Sequence, residues 1–135
     1  MVTYVLDSSA ILRFTDNEAG ADRVQRILDA VVDGNAEVVV SALHWGEAAG
    51  RLCKLRGRDV MENILQRLLG TGIQVFPATP QQAIAAALMK NDNKIPYVDA
   101  FGAVLASAPH HVFVTADFDL KPAAKLVKIE FLPAK

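Results

Sequence analysis

Val2-Thr-Tyr-Val-Leu-Asp7-Ser8-Ser9 is the stretch whose reading decides the fold. Five residues without a charge run directly into an aspartate and two serines. A strand with one wet face alternates polar and apolar side chains, whereas a strand covered on both faces reads as a continuous apolar run. Val38-Val-Val40 has the same character. Strands covered on both sides by helices belong to parallel sheets, and such sheets bind ligands at the carboxyl ends of their strands. Asp7 stands at one of those ends.

Working outward, runs rich in Val, Ile and Phe predict strands over Val2–Leu6, Glu37–Val40, Ile73–Phe76, Val112–Thr115 and Leu126–Phe131. Longer periodic stretches predict helices over Asp22–Asp33, Ala42–Leu55, Asp59–Leu69, Pro80–Met89 and Tyr97–Ala108. Punctuation agrees. Gly34-Asn35 separates a helix from a strand, Ser41 is placed to cap a helix, and Thr79-Pro80 joins a capping residue to a proline at the first helical position. Ile95-Pro96 breaks the chain before the last helix. The order β-α-β-α-α-β-α-α-β-β predicts a three-layer α/β/α sandwich with a mainly parallel central sheet. No repeat or linker divides residues 1–135, so one domain is expected.

Composition sets the limits. Of 135 residues, 52% are hydrophobic and 21% charged, the balance of a globular chain rather than a disordered one. The net charge of −1 excludes a global basic field, which weighs against tight non-catalytic DNA binding. It leaves RNA open, because a metal-dependent nuclease site is itself acidic. Cys53 is the single cysteine, so neither an intrachain disulfide nor a thiolate-rich zinc site is expected. The N-terminus lacks the pattern of a secretion signal, and no apolar run reaches the roughly 20 residues that span a bilayer. A cytoplasmic protein without membrane association is expected.

Four acids are distributed in a way that points to chemistry. Asp7 and Asp117 each follow a strand, which delivers both to the same sheet edge. Glu47 lies in the second turn of the helix after Ser41, among the small residues Gly46, Ala48, Ala49 and Gly50. Asp99 lies in the first turn of Tyr97-Val-Asp-Ala-Phe-Gly-Ala-Val-Leu-Ala106, a helix apolar nearly all round and therefore expected to be buried. A buried carboxylate needs a partner, and no Lys or Arg lies within a turn or two of Asp99. Mg²⁺ or Mn²⁺, which prefer hard oxygen ligands, would relieve the repulsion among such acids and activate water towards a phosphodiester.

Taken together, Val5-Leu-Asp-Ser-Ser-Ala-Ile-Leu12, Ser41-Ala-Leu-His-Trp-Gly-Glu-Ala48, the Tyr97–Ala106 stretch and Val114-Thr-Ala-Asp-Phe-Asp119 occur in the order found in PIN domains. The chain resembles stand-alone PIN domains of the VapC toxin group. Asn17-Glu-Ala-Gly-Ala21 and the tail from Leu120-Lys-Pro to Val127-Lys-Ile-Glu-Phe-Leu132 extend the likeness over nearly the whole chain. Leu120 departs from it, standing where an aromatic residue is common. The resemblance implies a metal site of Asp7, Glu47, Asp99 and Asp117, with Ser8, Ser9 and Thr115 lining it. It also implies Mg²⁺- or Mn²⁺-dependent endoribonuclease activity, a homodimer, and neutralisation by a small cognate antitoxin. A non-catalytic module of the same fold, acting through protein or RNA contacts, is the alternative.

Each residue also has a plainer reading. Asp7 is placed to cap a helix, Asp99 to favour the positive end of its helix, and Glu47 to pair with Arg51 at i+4. Asp119 shares a turn with Asp117 and competes with it as the fourth ligand. His44, His110 and His111 read as surface or satisfied polar residues, Trp45 as packing, and Cys53 as an inert buried thiol. Lys54-Leu-Arg-Gly-Arg58 reads equally as a solvated turn or as a contact for RNA phosphates.

Overall fold

The computed structural model describes residues 1–135. In chain order its elements are β1 (Val2–Leu6), α1 (Ser8–Thr15), α2 (Ala21–Val32), β2 (Ala36–Ser41), α3 (Ala42–Arg56), α4 (Arg58–Gly70), β3 (Gln74–Phe76), α5 (Pro80–Asn93), α6 (Tyr97–Leu105), β4 (His111–Thr115), a 3₁₀ segment (Phe118–Lys125) and β5 (Ile129–Phe131). The five strands form one sheet in the order β3-β2-β1-β4-β5, and all four pairings are parallel. No helix is long and apolar enough to cross a membrane.

Alternation along the strands divides the core in two, because successive side chains point to opposite faces. On one face Leu6, Val38, Val40, Val112 and Val114 pack with Ile11, Val24, Ile27, Leu28 and Leu68 from the helices. On the other, Val5 and Phe113 pack with Ala86 of α5, Ala100, Phe101 and Ala103 of α6, and Leu120 and Ala123 of the 3₁₀ segment. The sheet is thus the middle layer of three, as its uncharged central strand requires.

Connectivity decides where a site can form. The chain leaves β1 for β2 and β3 on one side, then crosses back to place β4 on the other. At such a switch point the connections diverge and leave a crevice at the carboxyl ends of the strands. Leu6 pairs in register with both Val40 and Val114, so Asp7, Ser41 and Thr115, each one residue further on, share that edge.

Several expected boundaries moved, for local reasons. Helix α1 starts immediately after β1, with Asp7 as its cap: Asp7 Oδ1 accepts the Ala10 N–H at 2.9 Å. At eight residues it is too short to show convincing periodicity beside an apolar strand. The last strand begins at Ile129 rather than Leu126, because Phe118–Lys125 winds into 3₁₀ turns and buries Leu120 and Ala123. Helix α5 continues through a polar stretch to Asn93 and is closed by Lys94 in the left-handed conformation (φ 54°), while α6 ends at Leu105. Cys53, expected to be buried, is partly exposed.

Two arginines fasten the periphery. Arg13, only 9% exposed, donates from Nη1 to the carbonyls of Ala19 (2.6 Å) and Pro133 (2.7 Å), tying the C-terminal tail to α1. Arg23 of α2 forms a forked pair with Glu130 of β5 at 2.7 and 3.0 Å and lies over the Tyr4 ring.

Helix α5, which packs against α6, begins with a reciprocal cap: Thr79 Oγ1 accepts the Gln82 N–H at 3.1 Å, and Gln82 accepts the Thr79 N–H at 3.3 Å. Thr79→Ala is expected to cost about 1 kcal/mol and to lower the melting temperature by about 4 °C. A thermal melt by circular dichroism reads this directly, and an unchanged midpoint would show that the cap contributes nothing.

Candidate active site

At the β1 end, Asp7 is 2% exposed and its carboxylate is enclosed by donors. Besides the Ala10 amide, Oδ1 accepts the Ser9 hydroxyl at 2.6 Å and Oδ2 accepts the Thr115 hydroxyl at 2.5 Å. Each hydroxyl accepts in turn: Ser9 Oγ from the Ala116 N–H at 2.8 Å, and Thr115 Oγ1 from the Asp117 N–H at 3.0 Å. Asp7 therefore joins the ends of β1 and β4 while capping α1. The plain capping reading and the functional one are both fulfilled by the same side chain. Burial pushes the Asp7 carboxyl above the usual aspartate value; the Ser9, Thr115 and Ala10 hydrogen bonds and the nearby His44 oppose this without overcoming it.

Glu47 and Asp99 meet at a histidine. Glu47, on the outer surface of α3, accepts the Ser8 hydroxyl at 3.1 Å, and Arg51 is not its ion-pair partner. Asp99, in the first turn of α6, has its side chain 17% exposed and its Oδ1 3.0 Å from Nε2 of His44. His44 Nε2 also lies 4.0 Å from Glu47 Oε1, and the imidazole itself is wholly buried. Of the surface and satisfied-polar readings of His44, the structure gives the second: the ring is buried and bonded to Asp99. It also supplies the local partner for Asp99 that the sequence near Asp99 lacks. The signal was present as His-x-x-Glu over residues 44–47, since residues three apart share a helix face. His110 is exposed and His111 faces the Pro109 carbonyl, both at the opposite end of the strands.

Asp117 is tied to this set through its backbone. Its backbone N–H joins the Thr115 hydroxyl, but its carboxylate caps the 3₁₀ segment, Oδ1 accepting the Asp119 N–H at 2.9 Å. Asp119 is exposed, and its carboxylate makes no hydrogen bond or ion pair. Ser8 bridges the rest, adjacent in sequence to Asp7 and bonded to Glu47. The structure brings Asp7, Glu47 and Asp99 to one edge with Ser8, Ser9 and Thr115 between them. No three His, Cys, Asp or Glu side chains are drawn together tightly enough to enclose an ion.

The donor chemistry nevertheless fits a hard divalent cation. The available groups are carboxylate and hydroxyl oxygens, Asp7 is desolvated with no Lys or Arg hydrogen-bonded to it, and Glu47 and Asp99 both lie within 4.0 Å of the same imidazole nitrogen. In the Lys54–Arg58 stretch, Arg56 is paired with Asp16 (2.7 Å) and Arg58 with Glu62 (3.1 Å), which favours the solvated-turn reading.

The chain belongs to the PIN domain family, whose model matches residues 4–126. Its fold is that of several solved structures at low sequence identity. VapBC2 from Rickettsia felis, bound to a DNA fragment from its promoter, superposes with a TM-score of 0.74 at 13% identity, over 98% of this chain and 100% of that one. Mycobacterium tuberculosis VapC20, described as a sarcin-ricin loop cleaving toxin, gives 0.66 at 16% identity over 96% and 99%. PAE2754 from Pyrobaculum aerophilum gives 0.68 at 18% over 95% and 89%. Comparison of the sequence with curated proteins gives no match.

Burial of Asp7 makes a prediction about stability. Because its folded pKa is raised, the contribution of the protonated carboxyl is complete below the unfolded value and is lost as pH rises through the folded value. Asp7→Asn keeps an oxygen for the Ala10 amide and removes that loss. In chelator, the variant is expected to melt a few degrees above the parent, roughly 4 °C per kcal/mol recovered, at pH 8. The gap should narrow as pH falls towards 4. A gap independent of pH would contradict the assignment of burial as the dominant influence.

Proposed function

We propose that the chain is a divalent-metal-dependent endoribonuclease, the toxin of a type II toxin–antitoxin pair. The observation that carries this reading is the gathering of Asp7, Glu47 and Asp99 at the switch point of a parallel sheet, joined by serine and threonine hydroxyls and one imidazole. Membership of the PIN family supports it, as does likeness in fold to a protein described as a sarcin-ricin loop cleaving toxin.

In this reading Asp7, Glu47 and Asp99 hold Mg²⁺ or Mn²⁺, and Asp117 joins them by turning from its 3₁₀ cap. The cation would supply an activated water and stabilise charge on the phosphate oxygens. The protein's own part is placement. Ser9 and Thr115 fix both oxygens of Asp7, so the deepest ligand cannot rotate. Ser8 holds Glu47 by a hydrogen bond, and the first turn of α6 presents Asp99 from the opposite layer. No Ser, Cys or Lys is needed as a nucleophile. The whole chain acts as a single domain, in the cytoplasm, as a homodimer with a small protein antitoxin as its regulatory partner.

The test is cleavage of a structured RNA by the purified chain. Cleavage is expected with Mg²⁺ or Mn²⁺ and is expected to stop in excess chelator. Asp7→Asn and Asp99→Asn should each lower the rate by at least about 100-fold, since loss of a ligand exceeds loss of a group that merely supports one. Full activity in chelator would sink the proposal. Absence of both cleavage and metal binding would move the assignment to a non-catalytic module of the same fold.

A further inference from the structure

We propose that His44 is a positioning residue of this site: its Nε2–H holds Oδ1 of Asp99 and leaves Oδ2 to the cation, from a slot that exists because residue 102 is glycine. The inference rests on the reading of Asp99 as a metal ligand and concerns how that ligand is oriented.

Three observations carry it. The imidazole is wholly buried, yet makes one hydrogen bond, from Nε2 to Asp99 at 3.0 Å; Glu47 at 4.0 Å is beyond hydrogen-bonding reach. The other ring nitrogen, Nδ1, is buried with no partner at all. An orphaned buried N–H is rarer and more costly than a lone pair left unused, so the ring proton belongs on Nε2. The tautomer is thereby assigned, with a single donor aimed at a single carboxylate oxygen.

The slot is the third observation. A Cβ built on Gly102 would fall 2.9 Å from His44 Cε1 and 3.2 Å from Nδ1, and also 2.9 Å from Phe113 Cζ. Any side chain there would force the imidazole or the Phe113 ring to shift. Gly102 lies three residues after Asp99, on the same face of α6, and His44 lies three before Glu47 on α3. One helix therefore carries an acid and the vacancy, and the other carries an acid and the ring that fills it. Packing alone does not explain the choice, because an apolar side chain would fill the slot without leaving a buried polar atom unsatisfied. A carboxylate that gives one oxygen to an imidazole N–H and the other to a metal is held in a single orientation. Such outer partners are worth about 10- to 100-fold in metal affinity.

The experiment is calorimetric titration of Mg²⁺ and Mn²⁺ into the folded chain, with no RNA present, together with ¹⁵N NMR of the His44 ring. His44→Leu keeps the bulk and removes the donor; its Kd is expected to rise by about 10- to 100-fold. His44→Gln, whose amide nitrogen reaches the place of Nε2, should restore most of the affinity. A merely structural histidine would show a lower melting temperature in His44→Leu with an unchanged Kd, and that result overturns the proposal. If His44→Leu does not fold, the ring spectrum of the parent decides. A proton on Nε2 that persists at saturating Mg²⁺ supports the assignment. A proton on Nδ1, or its loss from Nε2 as the metal binds, overturns it. A parent chain that binds neither metal defeats the metal-site reading itself and this inference with it, whereas equal binding by parent and His44→Leu defeats this inference alone.

Discussion

A carboxylate taken out of water at the end of the central strand is the constraint around which the rest of the molecule is arranged. Asp7 is 2% exposed, and its burial works against ionisation. The structure answers with local donors: the Ala10 amide in the first turn of α1, the Ser9 hydroxyl and the Thr115 hydroxyl. None carries a full positive charge. The same contacts close the junction of β1, α1 and β4, so the residue that makes the site chemically tense also organises the sheet edge beneath it. Sites that retain such a group commonly trade stability for function.

The two helical layers contribute unequally. Helix α3 follows β2 without a linker and is capped by Ser41, which accepts the Leu43 N–H at 3.2 Å. That starting point places His44 inward, against Phe113, and Glu47 outward. Helix α6 crosses from the other layer with Asp99 in its first turn, where the positive end of the helix favours an acid. Contact between these helices is made close by Gly102, and the acids are brought within reach of each other by the imidazole between them. Positioning from two rigid layers is more exact than positioning from loops.

Much of the fold was legible because burial on two faces leaves a direct trace in sequence. Val2–Leu6 and Val38–Val40 could only be inner strands, and both are. Elements whose signals are local or short were harder. Helix α1 has eight residues and no gap before it, and the 3₁₀ segment contains Pro122, which reads as a breaker. Val127 is apolar because it joins the core from a turn, not from a strand, while Leu126 is exposed. At the site, Asp7, Glu47 and Asp99 could be named because strand ends and apolar helices make an acid conspicuous. His44 could not be judged in the same way. His-x-x-Glu places it beside Glu47, but its role depends on Asp99 and Gly102, over fifty residues away in sequence. Asp117 could be named as the acid after β4, and its carboxylate caps the turn that follows.

The central claim is that the acids at the switch point share a divalent cation. Diffraction from crystals of the chain soaked in Mn²⁺, recorded to bring out the anomalous signal of manganese, tests it most directly. The account requires a peak bounded by Asp7, Glu47 and Asp99, with His44 still on Asp99 and outside the coordination sphere. No peak at saturating Mn²⁺, or one bound only to surface acids elsewhere, would contradict it.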